Sequence, residues 1–202
     1  MKLISSNKNT QVFLDYVYDI MKKYKCVLKV STDDVYIDNN IVGGYFSWTE
    51  REIVIDMNSN WLETLAHEFS HLLILKQTSR RENNIQYKSS DMMFSWLSKE
   101  RELTLSEINF YIDVVKLMEL ECERKTIELI KQFDLPIDIP TYIKNANAYI
   151  FYHDIIKSKR VWCTIPLSEM TNVINLMSDN FDMDYTTHNI KIQEAFEEYV
   201  KI

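Results

Sequence analysis

The chain has 202 residues, which suits one well-buried domain, and carries a formal net charge of -7. This acidic balance argues against an extended contact with a phosphate backbone, so we predict no nucleic-acid partner. The two glycines are adjacent, Gly43 and Gly44, which excludes the Gly-rich loops of nucleotide-binding folds.

The remaining composition bears on the compartment. No apolar run approaches the length that spans a bilayer, and the polar N-terminus lacks a secretion signal, so we expect no membrane partner. The three cysteines are scattered, odd in number and without CxxC spacing, as is typical of reduced thiols. We therefore expect a cytoplasmic protein of a bacterium or a phage-infected cell; the oligomeric state stays open.

The first third of the chain predicts a helix and then a small sheet. Apolar residues at helical spacing indicate an amphipathic helix over residues 9–24. Short β-branched runs broken by polar turns then predict an antiparallel meander of three or four strands, the last over residues 52–57. Asn60 and Glu63 form a potential capping box for a second helix that runs to about residue 76.

That second helix carries the motif His67-Glu68-Phe69-Ser70-His71. Residues four apart lie one turn above each other on one face of a helix, so both imidazoles can bind one Zn²⁺. Glu68 can then reach the water that such a metal activates and act as a general base. The alternative is a buried helix whose histidines are merely hydrogen-bonded core residues.

Residues 77–103 are polar at first and predict an insertion, either a plain surface connection or a lid beside the active site. Thr104 and Glu107 then predict a second capping box, which begins a long helix over residues 105–133. We expect residues 77–90 to be mobile, because they lack apolar residues at regular spacing. We expect the long helix to form part of the core.

One face of this long helix carries a glutamate among residues that are typical of a protein core. The spacing of four and three residues places on it Ile108, Ile112, Val115, Glu119, Cys122 and Thr126. A buried carboxylate must be paired or bind a metal, because burying it alone costs several kcal/mol. Glu119 is therefore predicted to be the third ligand of a His₂Glu site; the alternative is a salt bridge or hydrogen bond to another helix. Glu123, one turn further, is predicted to accept the free ring N–H of a ligand histidine.

These two motifs together resemble the gluzincin clan of zinc metallopeptidases, in which a helix downstream of HExxH carries a glutamate ligand and, four residues later, an acidic residue that orients a histidine. The resemblance implies His67, His71 and Glu119 as zinc ligands, Glu68 as the general base and Glu123 as the orienting acid. It covers roughly residues 43–130. The sequence departs from many gluzincins, which have Ala-Asp where this chain has Cys-Glu.

The small sheet before the motif also resembles the short domains of ImmA/IrrE-type metallopeptidases of phages and mobile elements. The resemblance implies a single zincin-like α+β domain, in which a small antiparallel sheet leads into the HExxH helix and a mostly helical C-terminal half follows. It further implies that a peptide substrate adds to an edge strand within residues 43–48.

The C-terminal half predicts three further helices. The first is capped by Thr141, runs to about residue 157 and carries Tyr149 and His153, with Tyr152 alongside. A tyrosine or histidine there is a candidate donor to the oxyanion of a tetrahedral intermediate; the alternative is an aromatic core. Helices over 167–178 and 190–200 flank an acidic loop at 179–184, and His188 is expected in a solvent-facing polar turn.

The predicted function is a zinc-dependent endopeptidase acting on peptides or proteins. One alternative is a non-catalytic interaction protein that a metal stabilises, although such a site needs no general base. The other is a SprT-like protease with a third histidine ligand, which here could only be His153 or His188. The absence of a basic region in the sequence argues against it.

Overall fold

A computed structural model describes residues 3–37, 40–57, 60–162, 165–187 and 189–200. In chain order its elements are α1 (Lys8–Tyr24), β1 (Val27–Ser31), β2 (Val35–Ile37), β3 (Asn40–Val42), β4 (Gly44–Ser47), β5 (Glu52–Asp56), α2 (Trp61–Gln77), α3 (Arg80–Leu97), α4 (Leu105–Phe133), α5 (Ile139–Lys159), a 3-10 turn (Leu167–Glu169), α6 (Thr171–Ile174) and α7 (Ile190–Glu197). The α+β class and the mostly helical content are confirmed. Across these ranges, no helix combines the length and the apolar character needed to cross a bilayer.

The chain divides into two compact units. The first unit consists of Met1–Thr78 and Cys122–Ile137, and the second unit of Ser79–Glu121 and Asp138–Ile202. Helix α4 is continuous through this division and contributes its C-terminal part to the first unit.

The sheet of the first unit is mixed, so the predicted antiparallel meander is wrong. Strand β5 is central: β1 pairs with it in parallel and β4 pairs with it antiparallel. Strands β2 and β3 form a separate antiparallel ribbon. Ile53 and Ile55 of β5 are fully buried. The most buried strand is therefore the central one, because a central strand is covered by neighbours on both edges.

Strand β4 lies at the edge of this sheet and packs closely against α2. A Cβ atom on Gly44 would lie 2.5 Å from the carbonyl oxygen of Val54 and 2.7 Å from Cγ2 of Thr64 on α2. Both distances are too short for any side chain, so only glycine lets the strand approach the helix this closely. The edge strand is thereby held against the first turns of α2.

Replacing Gly44 by alanine is expected to lower the free energy of unfolding by about 1–3 kcal/mol, the usual cost of overpacking. The clash is with a backbone oxygen, which cannot rotate away as a side chain can. Chemical denaturation of the variant measures the effect. The matched control is Gly43→Ala, because Gly43 is exposed and its φ is not positive. Equal stability of both variants would show that β4 is not held by this contact.

Aromatic rings join α1, α2 and the end of α4 in the first unit. The ring centroids of Phe13 and Phe69 lie 6.2 Å apart, and Phe133 stacks against Phe13 at 5.4 Å and against Tyr16 at 5.1 Å. Such edge and tilted contacts add to the burial of apolar area. They hold α2 rigidly from the face that carries Phe69.

The start of α2 differs from its prediction. The helix begins at Trp61 as expected, but the Asn60 side chain makes no capping hydrogen bond, so the predicted capping box is wrong. Glu63 is instead half-buried, and its pKa is raised by burial and then by the negative charge of Glu123. The carboxylate that the pattern assigned to a cap therefore lies beside another acid.

The predicted polar insertion is largely helix α3. Ser79 Oγ accepts from the backbone N–H of Glu82 at 3.3 Å, and the Glu82 carboxylate accepts from the backbone N–H of Ser79 at 3.0 Å. This capping box begins the helix, whose buried apolar residues Met92, Met93 and Trp96 lie only in its last turns. Hydrophobic spacing therefore could not reveal its first half. Helix α4 has the predicted bounds, and its Thr104–Glu107 capping box is confirmed.

The second unit has its core around α5. This helix begins at Ile139, earlier than predicted, because Pro140 fits the first helical turn. The predicted helix over 167–178 is wrong beyond its first turns: only the 3-10 turn and α6 form. The Asn147 side chain donates to the carbonyl oxygens of Ser178 and Asn180 at 2.8 and 3.0 Å, which holds the following segment as a loop. His188 lies outside the described residues.

Candidate metal centre

The two histidines of the motif face each other within the first unit. His67 Nε2 and His71 Nε2 are 3.2 Å apart, with the two rings nearly perpendicular. Zinc binds imidazole nitrogens at about 2.0–2.1 Å in tetrahedral geometry, which places two ligand atoms about 3.3 Å apart. The observed separation therefore fits two ligands of one zinc ion.

Glu123 from α4 determines which nitrogen of His67 is available. Its Oε1 lies 3.2 Å from His67 Nδ1, and the carboxylate is buried. A carboxylate only accepts, so Nδ1 carries the proton and Nε2 presents its lone pair toward His71. A carboxylate on the far nitrogen is the usual partner of a metal-binding histidine, because it holds the ring and its tautomer. The predicted contact between Glu123 and a histidine of the motif is thus present.

Cys122 also lies close to His67 and was not predicted to take part. One potential ligand atom from each of His67, His71 and Cys122 lies within 4.8 Å of the others, so a His₂Cys cluster is geometrically possible. However, Cys122 Sγ donates to the backbone carbonyl oxygen of His67 at 3.2 Å and lies 3.8 Å from Nδ1. The thiol is therefore on the Nδ1 side of the ring, which favours a structural role.

A seam of small polar residues brings α2 and the end of α4 together. Thr126 Oγ1 donates to Ser70 Oγ at 3.1 Å, and Ser70 Oγ donates to the carbonyl oxygen of Ala66 at 2.8 Å. Both hydroxyls are fully buried, and their short side chains let the helices approach closely. One turn before Thr126, this approach places Cys122 and Glu123 against His67.

Glu68 is buried, with 8% of its surface exposed. It follows His67 on α2, so its side chain projects about 100° around the helix from that histidine. Thr64 lies four residues before Glu68 and therefore on the same side of the helix. Because Gly44 packs on Thr64, the edge strand β4 passes along the side of α2 from which Glu68 projects.

Three other predicted site residues belong to the second unit. Glu119 is 6% exposed, so its predicted burial is confirmed, and its negative charge acts on His153. The pKa of His153 is lowered by burial, which outweighs the opposing effect of Glu119. His153 Nδ1 lies 3.1 Å from the carbonyl oxygen of Tyr149, to which it donates. A neutral ring with its proton on Nδ1 has none on Nε2 to donate, so this histidine does not fit the predicted role of an oxyanion donor.

Comparisons with protein-family models, with curated proteins and with solved structures find no match for this chain. The geometry around His67 and His71 therefore carries the functional argument. Sequence reasoning missed Cys122 and Ser70 as neighbours of this centre. The only available signal was that Cys122 and Thr126 share one face of α4 and that Ser70 lies inside the histidine motif.

Proposed function

We propose that this protein is a zinc-dependent peptidase of the gluzincin type, with His67, His71 and Glu119 as the ligands. The observation that supports it most strongly is the pair of facing Nε2 atoms at 3.2 Å, with the Glu123 carboxylate behind His67. Two lone pairs at this distance repel each other unless a proton or a cation lies between them. A zinc ion held there would polarise a carbonyl group and make a water molecule more acidic.

Glu119 is proposed as the third ligand from its place on α4. It lies four residues before Glu123 and therefore on the same face of that helix. Three protein ligands with one open position are the usual set for catalytic zinc, whereas structural sites are closed by four ligands. The positive charge of a zinc ion held there would also compensate the negative charge of a glutamate buried at position 119.

The residues around the metal would each have a separate role in the reaction. Glu68 takes the proton of the attacking water and delivers it to the nitrogen of the leaving amine, so the peptide bond breaks without a free proton in solution. Glu123 keeps the His67 ring oriented through its Nδ1–H.

Strand β4 is proposed to bind the substrate. It has a hydrogen-bonded neighbour, β5, on one edge, and its position at the end of the sheet order leaves the other edge for a further strand. An extended peptide that adds there forms main-chain hydrogen bonds and lies along the Glu68 side of α2. This arrangement suits an endopeptidase, because such contacts do not require a chain terminus.

The function is tested by hydrolysis of unfolded casein and of a broad peptide library. We expect cleavage by the zinc-loaded protein, its loss after removal of the metal by a chelator, and its return when zinc is restored. Magnesium serves as the matched control and should not restore cleavage, since histidine ligands favour zinc. A zinc-loaded protein that cleaves none of these substrates would favour the non-catalytic interaction protein.

A further inference from the structure

Lys76, in the last turn of α2, lies between two aromatic rings. Its Nζ is 4.6 Å from the centre of the Trp48 ring and 4.9 Å from the centre of the Tyr24 ring. Trp48 is 39% exposed. A cation over an aromatic face is attracted to the ring and loses mobility before any ligand arrives. We call Tyr24, Trp48 and Lys76 the Lys76 subsite.

This subsite stands at one end of the edge strand. Side chains alternate along a strand, so Gly44 and Phe46 point to the same face of β4, which is the face toward α2. Trp48 lies in the turn that follows β4. Gly44 packs on Thr64 near the start of α2, and Trp48 contacts Lys76 near its end. Strand β4 and the turn that follows it therefore run alongside α2 from Thr64 to Lys76, and Glu68 lies between these two positions of the helix.

The distance between Glu68 and Lys76 along α2 indicates which residue of a bound peptide would contact Lys76. Lys76 follows Glu68 by roughly 12 Å along the helix axis. Lysine side chains on a helix tilt toward its N-terminus, which shortens this distance. An extended chain advances about 3.3 Å per residue, so the Lys76 subsite corresponds to a residue two to four positions from the cleaved bond.

The charge of the subsite identifies its occupant. The side chain of Lys76 makes no hydrogen bond and no ion pair with any residue that the structure describes. Arg51 adds a second cation near it, because both lower the pKa of Cys26, although burial raises that pKa by more. Among the residues that the structure describes, neither Lys76 nor Arg51 forms an ion pair with a carboxylate, although the chain carries a net charge of -7. They complement a carboxylate carried by an extended peptide.

We propose that the Lys76 subsite selects an aspartate or glutamate side chain of the substrate, two to four residues from the cleaved bond. This inference rests on the proposed function. The ammonium group of Lys76 binds the carboxylate, and the exposed Trp48 ring contacts the methylene groups of the same side chain.

Cleavage-site profiling with a peptide library tests the preference. Wild type should show enrichment of aspartate and glutamate at one position two to four residues from the cut. Lys76→Glu should lose that enrichment and gain lysine and arginine at the same position. Lys76→Met keeps the apolar stem between the rings and should show no charge preference, which covers the case that Lys76→Glu fails to fold. Lys131→Glu is the matched control, since it makes the same charge change in the first unit away from the subsite.

A binding measurement separates this inference from the proposed function. Two labelled peptides, identical except for glutamate or glutamine at the selected positions, are titrated against zinc-loaded Glu68→Gln protein. The acidic peptide should bind about three- to tenfold more tightly, and Lys76→Met should abolish the difference. If nothing is cleaved but this difference is present, the peptidase assignment fails and the subsite stands. Equal affinity for both peptides, or the same loss in Lys131→Glu, overturns the subsite.

Discussion

Replacing Glu68 by glutamine is expected to lower peptide hydrolysis by a factor on the order of 10² to 10⁴, the usual contribution of a positioned general base. Glutamine keeps the shape of the buried side chain but cannot accept a proton. Zinc content and melting temperature should therefore stay near wild type. Initial rates with equal zinc loading measure the effect.

Glu121→Gln is the control for this experiment. Glu121 is exposed on α4, so the same chemical change should leave the rate close to wild type. Equal cleavage by Glu68→Gln and wild type, with zinc in place, would remove Glu68 from the general-base role. A parallel loss of zinc would instead show that the carboxylate holds the metal.

The second large effect is on metal content. The protein should bind about one equivalent of zinc, and Glu119→Ala should bind much less, because a site with two protein ligands holds zinc weakly. His67→Ala and His71→Ala should lose the metal as well. Elemental analysis after dialysis measures the content, with Glu121→Ala as the control on the same helix. Full retention of zinc in Glu119→Ala would remove Glu119 from the ligand set.

Three further variants test the other residues that could bind the metal or orient its ligands. Cys122→Ala should retain zinc, because its thiol donates to the His67 carbonyl. Loss of zinc in Cys122→Ala with retention in Glu119→Ala would establish the His₂Cys cluster instead, and the same result with His153→Ala would support a third histidine. Glu123→Gln should weaken zinc affinity by about 10- to 100-fold without abolishing binding, since it orients His67 and does not bind the metal.

The helices at the centre were largely readable from local sequence. Contacts between residues three or four apart act within one helix, and the sequence shows them directly. They were enough to predict that both histidines share one face of α2, where α4 begins and ends, and its capping box. The burial of Glu119 and Glu123 followed from the same period. The first half of α3 is polar, so it has no apolar residues at helical spacing and its helix was not predicted, although it forms.

Contacts between distant segments could not be read in this way. The parallel pairing of β1 with β5 joins strands separated by the whole β2–β3 ribbon and β4. The alternation of apolar and polar residues does not show which strand is central, because the strand order depends on what packs against each face of the sheet. The surroundings of Glu63 also depend on a distant segment: burial raises its pKa, and Glu123, an acid sixty positions further along the chain, raises it further.

The sequence by itself determined which side chains can bind a metal and on which helices they lie, because helix formation and helix faces depend on near neighbours. Only the tertiary structure decided which atoms meet. It placed Glu123 on Nδ1 of His67, the Cys122 thiol on the His67 carbonyl, and the Trp48 ring over Lys76. Each of these contacts joins separate elements, and each depends on close packing at small residues such as Gly44, Ser70 and Thr126. Packing of that kind is a property of two surfaces together, and neither segment of sequence contains it alone.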